Sequence, residues 1–177
     1  ASMAEEGPFI IRYPRGYGEG TDWRSQDFHI MEPGKGELLL KGSDVAVVAA
    51  GPSANRALEE ALKMKEATGW NPSIYNIRYI KPLDVEMMAE IAASHSRIVT
   101  IEDGCIMGGL YGAVTEFVSA LEKPLPVRAV GIPDRYISQG TQEELKEECG
   151  LTGECIYAVF AEELQKNVKK DEKVLEN

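Results

Sequence analysis

Three stretches of this 177-residue chain combine residue types and spacings that could do chemistry. The densest is Glu102-Asp103-Gly104-Cys105-Ile106-Met107-Gly108-Gly109, which follows an apolar, strand-like run. Two carboxylates suit acid–base work or a hard cation. Adjacent residues of a turn usually diverge, however, and no other Asp, Glu or His cluster has metal-ligand spacing. The glycine pair before a helical pattern permits close backbone approach to a ligand or another domain. Domain packing is the favoured reading over catalysis. The second stretch, Ala50-Gly51-Pro52-Ser53, sits where a strand meets a helix N-terminus, a common anion site in open α/β sheets. No GxGxxG or GxxxxGK[ST] pattern follows, and Pro52 removes a donor, so a plain strand-to-helix turn is expected. The third is Arg12-Tyr13-Pro14-Arg15-Gly16. Solvated arginines are the default there. The alternative is a phosphate contact, since guanidinium binds phosphate bidentately and Pro14 stiffens the segment that presents it.

His29 and His95 do not resemble a catalytic pair. His95 closes a helical pattern, where the helix dipole would favour its cationic form, and His29 falls in an irregular stretch. Structural roles are expected for both, and the Met87-Met88 pair reads as core filler. Cys105, Cys149 and Cys155 are odd in number and make no CxxC pair. They read as small apolar fillers in a reducing cytosol rather than as a disulfide framework or a zinc site.

The formal net charge of −10 argues against a polyanion-binding surface over the domain as a whole. No apolar run approaches the roughly 18 residues that cross a bilayer, and no signal-peptide pattern opens the chain. Ala1-Ser2-Met3 reads as a cloning remnant.

The elements that must position these residues follow from periodicity. Phe9 to Ile11 reads as the end of a strand whose sheet lies elsewhere, and Tyr17 to Pro33 as a linker broken by Gly18, Gly20 and Pro33. Regular patterning starts at Gly36. Strands are expected at Glu37–Lys41, Asp44–Ala50, Ile74–Tyr79, Ile98–Glu102 and Pro126–Val130. Helices are expected from Ala54 to Thr68, capped by Ser53 and stopped at Gly69, and from Asp84 to His95, with Val85, Met88, Ile91 and Ala92 inward. Others are expected along the Leu110-Val114-Phe117-Leu121 face, from Thr141, where Glu144 completes a capping box, and from Thr152 to about Val168. On the first of these helices, Ala54, Leu58, Ala61 and Leu62 would form the inward stripe. A charged tail would fray beyond Val168. The alternation implies an α/β fold: a three-layer α/β/α arrangement with a five-stranded mixed, mostly parallel sheet. The short Gly42-Ser43 turn makes the first two strands an antiparallel hairpin. Residues 1–33 would then be a remnant of a preceding domain and a linker, and residues 34–177 the α/β domain.

Taken in order, Arg12-Tyr13-Pro14-Arg15-Gly16, Ile77-Arg78-Tyr79-Ile80-Lys81-Pro82-Leu83-Asp84, Glu102-Asp103-Gly104 with Met107-Gly108-Gly109, and Gly131-Ile132-Pro133-Asp134-Arg135-Tyr136-Ile137-Ser138-Gln139-Gly140-Thr141 resemble a known family. The chain is similar to the C-terminal part of the 1-deoxy-D-xylulose-5-phosphate synthases, thiamine-diphosphate enzymes of the transketolase superfamily. The K-P-L-D and E-D-G/G-G features are shared more loosely with transketolases and the E1 β-subunits of 2-oxoacid dehydrogenases.

The resemblance implies the condensation of pyruvate with glyceraldehyde 3-phosphate, feeding isoprenoid, thiamine and pyridoxal phosphate synthesis in the bacterial cytoplasm. It implies a homodimer whose thiamine diphosphate and Mg2+ lie between two other domains. These are held by a Gly-Asp-Gly…Asn motif and an activating Glu that this stretch lacks, so the chain alone is expected to bind no cofactor and to be inactive. The domain would give structural and dimer support. Arg15 matches the arginine that reaches the substrate phosphate in the family. Gln139 stands where many members have His, and a hydrogen-bonding role at a domain interface is expected for it. No catalytic, cofactor-binding or metal-binding residue is assigned. The alternative outside enzymes is a free-standing ligand-binding or dimerisation module.

Overall fold

The computed structural model describes Pro8, Ile10, Ser25 and residues 30–175, with side chains as far as residue 166. The chain divides into two units, Ala1–Pro33 and Gly34–Asn177, and the architecture that follows is that of the second. Of the expected strand end at Phe9–Ile11 only Ile10 is described, and most of the linker, with Arg12, Arg15 and His29, lies outside the described residues.

Five strands form one sheet: β1 (Glu37–Leu40), β2 (Val45–Ala49), β3 (Ser73–Asn76), β4 (Arg97–Cys105) and β5 (Val127–Ile132). Their order is β1-β3-β2-β4-β5. The pairs β2–β3, β2–β4 and β4–β5 are parallel, and β1–β3 is antiparallel. Between the strands run α1 (Pro52–Thr68), α2 (Val85–Ser94), α3 (Leu110–Ser119), α4 (Gln142–Glu148) and α5 (Gly153–Leu175). The mixed, mostly parallel α/β architecture expected from the alternation is the one observed.

The unbroken apolar run of β2 serves both faces at once. Val45, Val47 and Ala49 join α1 and α5 through Ala54, Ala57, Ala61, Met64, Ile156 and Phe160. Ala46 and Val48 meet α2 and α3 on the other face through Met88, Ile91, Leu110, Val114 and Val118. Alternate residues of a strand point to opposite faces, so a central strand covered on both sides must be apolar throughout.

Four expectations are corrected. First, β1 is not the hairpin partner of β2, although it runs antiparallel to it. The connection crosses the amino end of β3: Gly42 N–H donates to Ser73 Oγ (2.9 Å) and Ser43 N–H to the Asn71 carbonyl (3.2 Å), so β3 lies between them. Second, Ser53 does not cap α1. Gly51 does, at φ 60°, with Pro52 as the first helical residue, where its missing N–H costs nothing. Third, the inward faces are rotated. Leu62 is 48% and Val85 57% exposed, while Glu60 occupies the inner stripe of α1 at 5%. Fourth, α5 continues to Leu175 instead of fraying near Val168. The Lys- and Glu-rich segment consists of good helix formers, so lack of apolar periodicity does not end the helix.

Candidate functional site

The loops at the carboxyl ends of β4 and β5 carry most of the polar residues singled out above. In this segment Glu102 and Asp103 are still strand residues, so their side chains leave opposite faces. Glu102 is buried and Asp103 exposed. They form no carboxylate pair.

Glu102 has both oxygens committed. Oε2 accepts from the Leu110 amide at 2.8 Å and Oε1 from the Tyr111 amide at 3.0 Å. These are first-turn N–H groups of α3, which have no intrahelical acceptor, and the N-cap residue Gly109 supplies no side-chain bond. A carboxylate there satisfies two orphan donors and sits favourably against the positive end of the helix dipole. It also accounts for the glycine pair. A Cβ at Gly109 would lie 2.1 Å from Glu102 Oε2 and 2.4 Å from the Cys105 carbonyl oxygen, and Gly108 adopts φ +77°. The backbone therefore approaches Glu102 of the same domain. The close approach at Gly109 is thus made within the domain, to Glu102 and Cys105.

The Gly51 turn is a strand-to-helix turn with a left-handed residue. Ser53 is 1% exposed within the first turn of α1.

After β5, Ile106 N–H donates to the Ile132 carbonyl (2.9 Å), tying the β4 and β5 loops together. Arg135 pairs with Glu148 at 2.9 Å, Tyr136 is fully exposed, and Ser138, Gln139 and Gly140 are exposed. The Thr141–Glu144 capping box forms as expected and starts α4. Cys105 is exposed, and Cys149 and Cys155 are partly buried free thiols. Cys105 is thus no filler, and burial pushes the Cys149 thiol up, away from a reactive thiolate.

Three polar hubs organise the fold: Asp84, expected from the sequence to cap α2, and Glu163 and Glu60, for which no such role is expected. Asp84, in the K-P-L-D stretch, caps α2 by accepting from the Met87 amide (3.1 Å) and clamps the chain before β1 by accepting from the Gly36 amide (3.0 Å). Glu163 of α5 is 2% exposed and meets Arg97 (2.8 Å), Arg128 (3.2 Å) and Lys166 (2.5 Å). Glu60 of α1 pairs with Lys63 at 2.6 Å. It lies against the first turn of α5, where a Cβ on Gly153 would meet its Oε1 at 2.5 Å. Two of these had a signal in the sequence, because Glu60 and Glu163 interrupt otherwise apolar helical stripes.

Among the described residues, no group of three His, Cys, Asp or Glu side chains could hold a metal ion. With both Glu102 oxygens on helix amides and Asp103 on the opposite face, the E-D-G loop does not fit a magnesium–diphosphate group.

A protein-family profile described as "Transketolase, C-terminal domain" matches residues 34–156. Curated relatives are similar at the sequence level. The 1-deoxy-D-xylulose-5-phosphate synthase of Phocaeicola vulgatus is 38% identical over 160 residues, 90% of this chain and 25% of that protein. Those of Parabacteroides distasonis and Vibrio campbellii are 40% and 41% identical, over 86% and 82% of this chain and 24% and 22% of theirs. The chain therefore spans about a quarter of the length of these relatives. A solved structure described as a split gene transketolase, inactive beta4 tetramer, superposes with a TM-score of 0.68 at 38% identity, covering 75% of this chain and 43% of that one.

Proposed function

Because this chain belongs to the family of transketolase C-terminal domains, we propose that it serves as the C-terminal domain of a thiamine-diphosphate-dependent 1-deoxy-D-xylulose-5-phosphate synthase. The observation that carries this reading is 38–41% identity to such synthases across most of the chain. Fold alone would not separate them from transketolases.

In this reading the parent enzyme condenses pyruvate with glyceraldehyde 3-phosphate as a cytoplasmic homodimer, and residues 1–33 hold, after a cloning remnant, the last strand of the preceding pyrimidine-binding domain and a linker. Thiamine diphosphate and Mg2+ would be held by the other domains and would supply the carbanion chemistry. The described residues do not fit that group, and no step of the reaction is assigned to them. Their part is architecture: Glu102, Glu163 and Asp84 fix the helices and the incoming chain on a rigid sheet. Gln139, on the exposed loop after β5, would hydrogen-bond across a domain interface.

Arg15 is the one residue assigned to substrate. Its guanidinium would pair with the aldehyde phosphate and set the acceptor's position. In the full-length enzyme, Arg15→Ala should raise the KM for glyceraldehyde 3-phosphate by about 10–100-fold with a smaller change in kcat. That corresponds to the loss of a charge-assisted pair worth roughly 1.5–3 kcal/mol. An unchanged KM would remove the assignment.

The split-gene likeness favours a second reading, the C-terminal part of a transketolase. A full-length assay separates the two. The synthase reading requires pyruvate consumption and carbon dioxide release, whereas a transketolase exchanges two-carbon units between sugar phosphates without pyruvate.

A further inference from the structure

Two of the three thiols open into one cavity at the β5 edge of the sheet. Cys149 ends α4, and Cys155 lies in the first turn of α5. Both are partly buried free thiols. Both line a surface cavity of about 440 Å3 that runs along the edge strand β5. Ala158, Val159 and Glu162 line the same cavity. They stand three, four and seven residues after Cys155, so the side of α5 that faces the cavity is the one that carries the Cys155 sulfur.

The turn between these helices is fixed at both ends. At the close of α4, Gly150 takes φ 69°. Its amide donates to the Glu147 carbonyl at 3.0 Å and the Leu151 amide to the Lys146 carbonyl at 2.7 Å, which completes a Schellman closure. At the start of α5, Thr152 Oγ1 accepts from the Cys155 amide at 3.3 Å, and the Thr152 carbonyl from the Ile156 amide at 3.1 Å. Leu151, at the apex, is 2% exposed and packed into the core. Arg56 of α1 holds the apex there, donating to the Leu151 carbonyl at 3.1 Å. Only Gly150, Leu151 and Thr152 separate Cys149 from α5. The two thiols therefore flank a short pinned turn and face one space.

We propose that Cys149 and Cys155 are an oxidation site, closing to a reversible intramolecular disulfide with a low-molecular-weight disulfide such as oxidised glutathione as the oxidant. The chemistry balances in two exchanges. The Cys155 thiolate attacks one sulfur of the oxidant, which forms a mixed disulfide and expels one glutathione thiolate. The Cys149 thiolate then attacks the Cys155 sulfur and expels the second. The two protein thiols lose two electrons and two protons, and one oxidant disulfide becomes two thiols. The order follows from the surroundings of Cys149. Burial pushes its thiol up, the Glu148 and Asp103 carboxylates add to this, and Arg135 opposes them only in part. Cys149 is therefore the thiol that resolves the mixed disulfide and not the one that forms it. Cys105 is exposed at the end of β4 and does not line the cavity. The bridge ties α4, whose Glu148 holds Arg135 of the loop after β5, to the redox state of the pair.

The test is oxidation of the whole chain with oxidised glutathione, then digestion after glutamate without reduction and mass spectrometry. Cleavage after Glu148, Glu154 and Glu162 puts the two cysteines on separate peptides. A bridge then appears as the two peptides joined, two hydrogens lighter than their sum. That linked pair is expected, with Cys105 outside it, and reduction should restore all three thiols. Cys149→Ser should stop at the Cys155–glutathione adduct. Closure from the mixed disulfide should run at least about tenfold faster in the folded chain than in urea, because the pinned turn pre-orients the pair. Glutathione on both Cys149 and Cys155 with no bridge, a bridge that includes Cys105, a bridge between two chains, or equal closure rates folded and unfolded would overturn the proposal.

Discussion

Glu163→Ala is expected to destabilise the chain by about 3–5 kcal/mol in denaturant titration, the range for removing one partner of a buried ion pair. Glu163 is 2% exposed on α5 and answers Arg97 at the start of β4 and Arg128 on β5, as well as Lys166 one turn on. The Arg97 side chain is only 20% exposed, so without the carboxylate a largely buried cation is left with no counter-charge. The control is on the same helix. Glu162 also touches Arg128, at 2.6 Å, but is 58% exposed, and Glu162→Ala should cost less than about 1 kcal/mol. Burial alone would raise the Glu163 pKa, but hydrogen bonds from Lys166, Arg97 and Arg128 outweigh it and hold the carboxyl below its ordinary value. A depressed folded-state pKa gives stability that is present above the unfolded value, about 4.3, and lost as pH falls below it. Wild type should therefore lose stability relative to Glu163→Ala in that acid range. Equal costs for the two glutamates would contradict the hub.

Glu102→Ala is the second large effect, about 3–5 kcal/mol. Each stranded N–H of Leu110 and Tyr111 costs roughly 1–3 kcal/mol once its buried acceptor is gone. The favourable charge at the α3 N-terminus is lost as well. Glu102→Gln keeps the shape and one acceptor and should fall in between. Asp103→Ala, one residue on but exposed, should stay within about 0.5 kcal/mol. Thermal melts followed by circular dichroism read all three. Similar melting temperatures for the Glu102→Ala and Asp103→Ala chains would show that the E-D-G loop is not built around one buried carboxylate.

How far the sequence speaks for itself differs by element. The doubly buried run Val45–Ala49 and the recurring helical faces were legible, because a parallel sheet covered on both sides leaves an apolar strand with no alternation. The pairing of β1 was not. A short turn states that the chain reverses, whereas the choice of neighbour depends on Gly42 and Ser43 meeting Asn71 and Ser73, some 30 residues away. Ser53 has the residue type of a cap for α1, but Pro52 marks the first helical position and so points to Gly51. Glu102 was noticed for its charge and neighbouring glycines, but the signal that it anchors a helix came only from where the next helix begins. Glu60 and Glu163 were readable in principle as acids within apolar stripes. Arg15 lies outside the described residues, and family likeness is what supports its role.

The central claim is that this domain supplies architecture and one substrate contact while the cofactor belongs to other domains. Isothermal titration of the chain with thiamine diphosphate and Mg2+ tests it most directly. The expected result is no heat beyond dilution. Tight, stoichiometric binding would contradict the assignment.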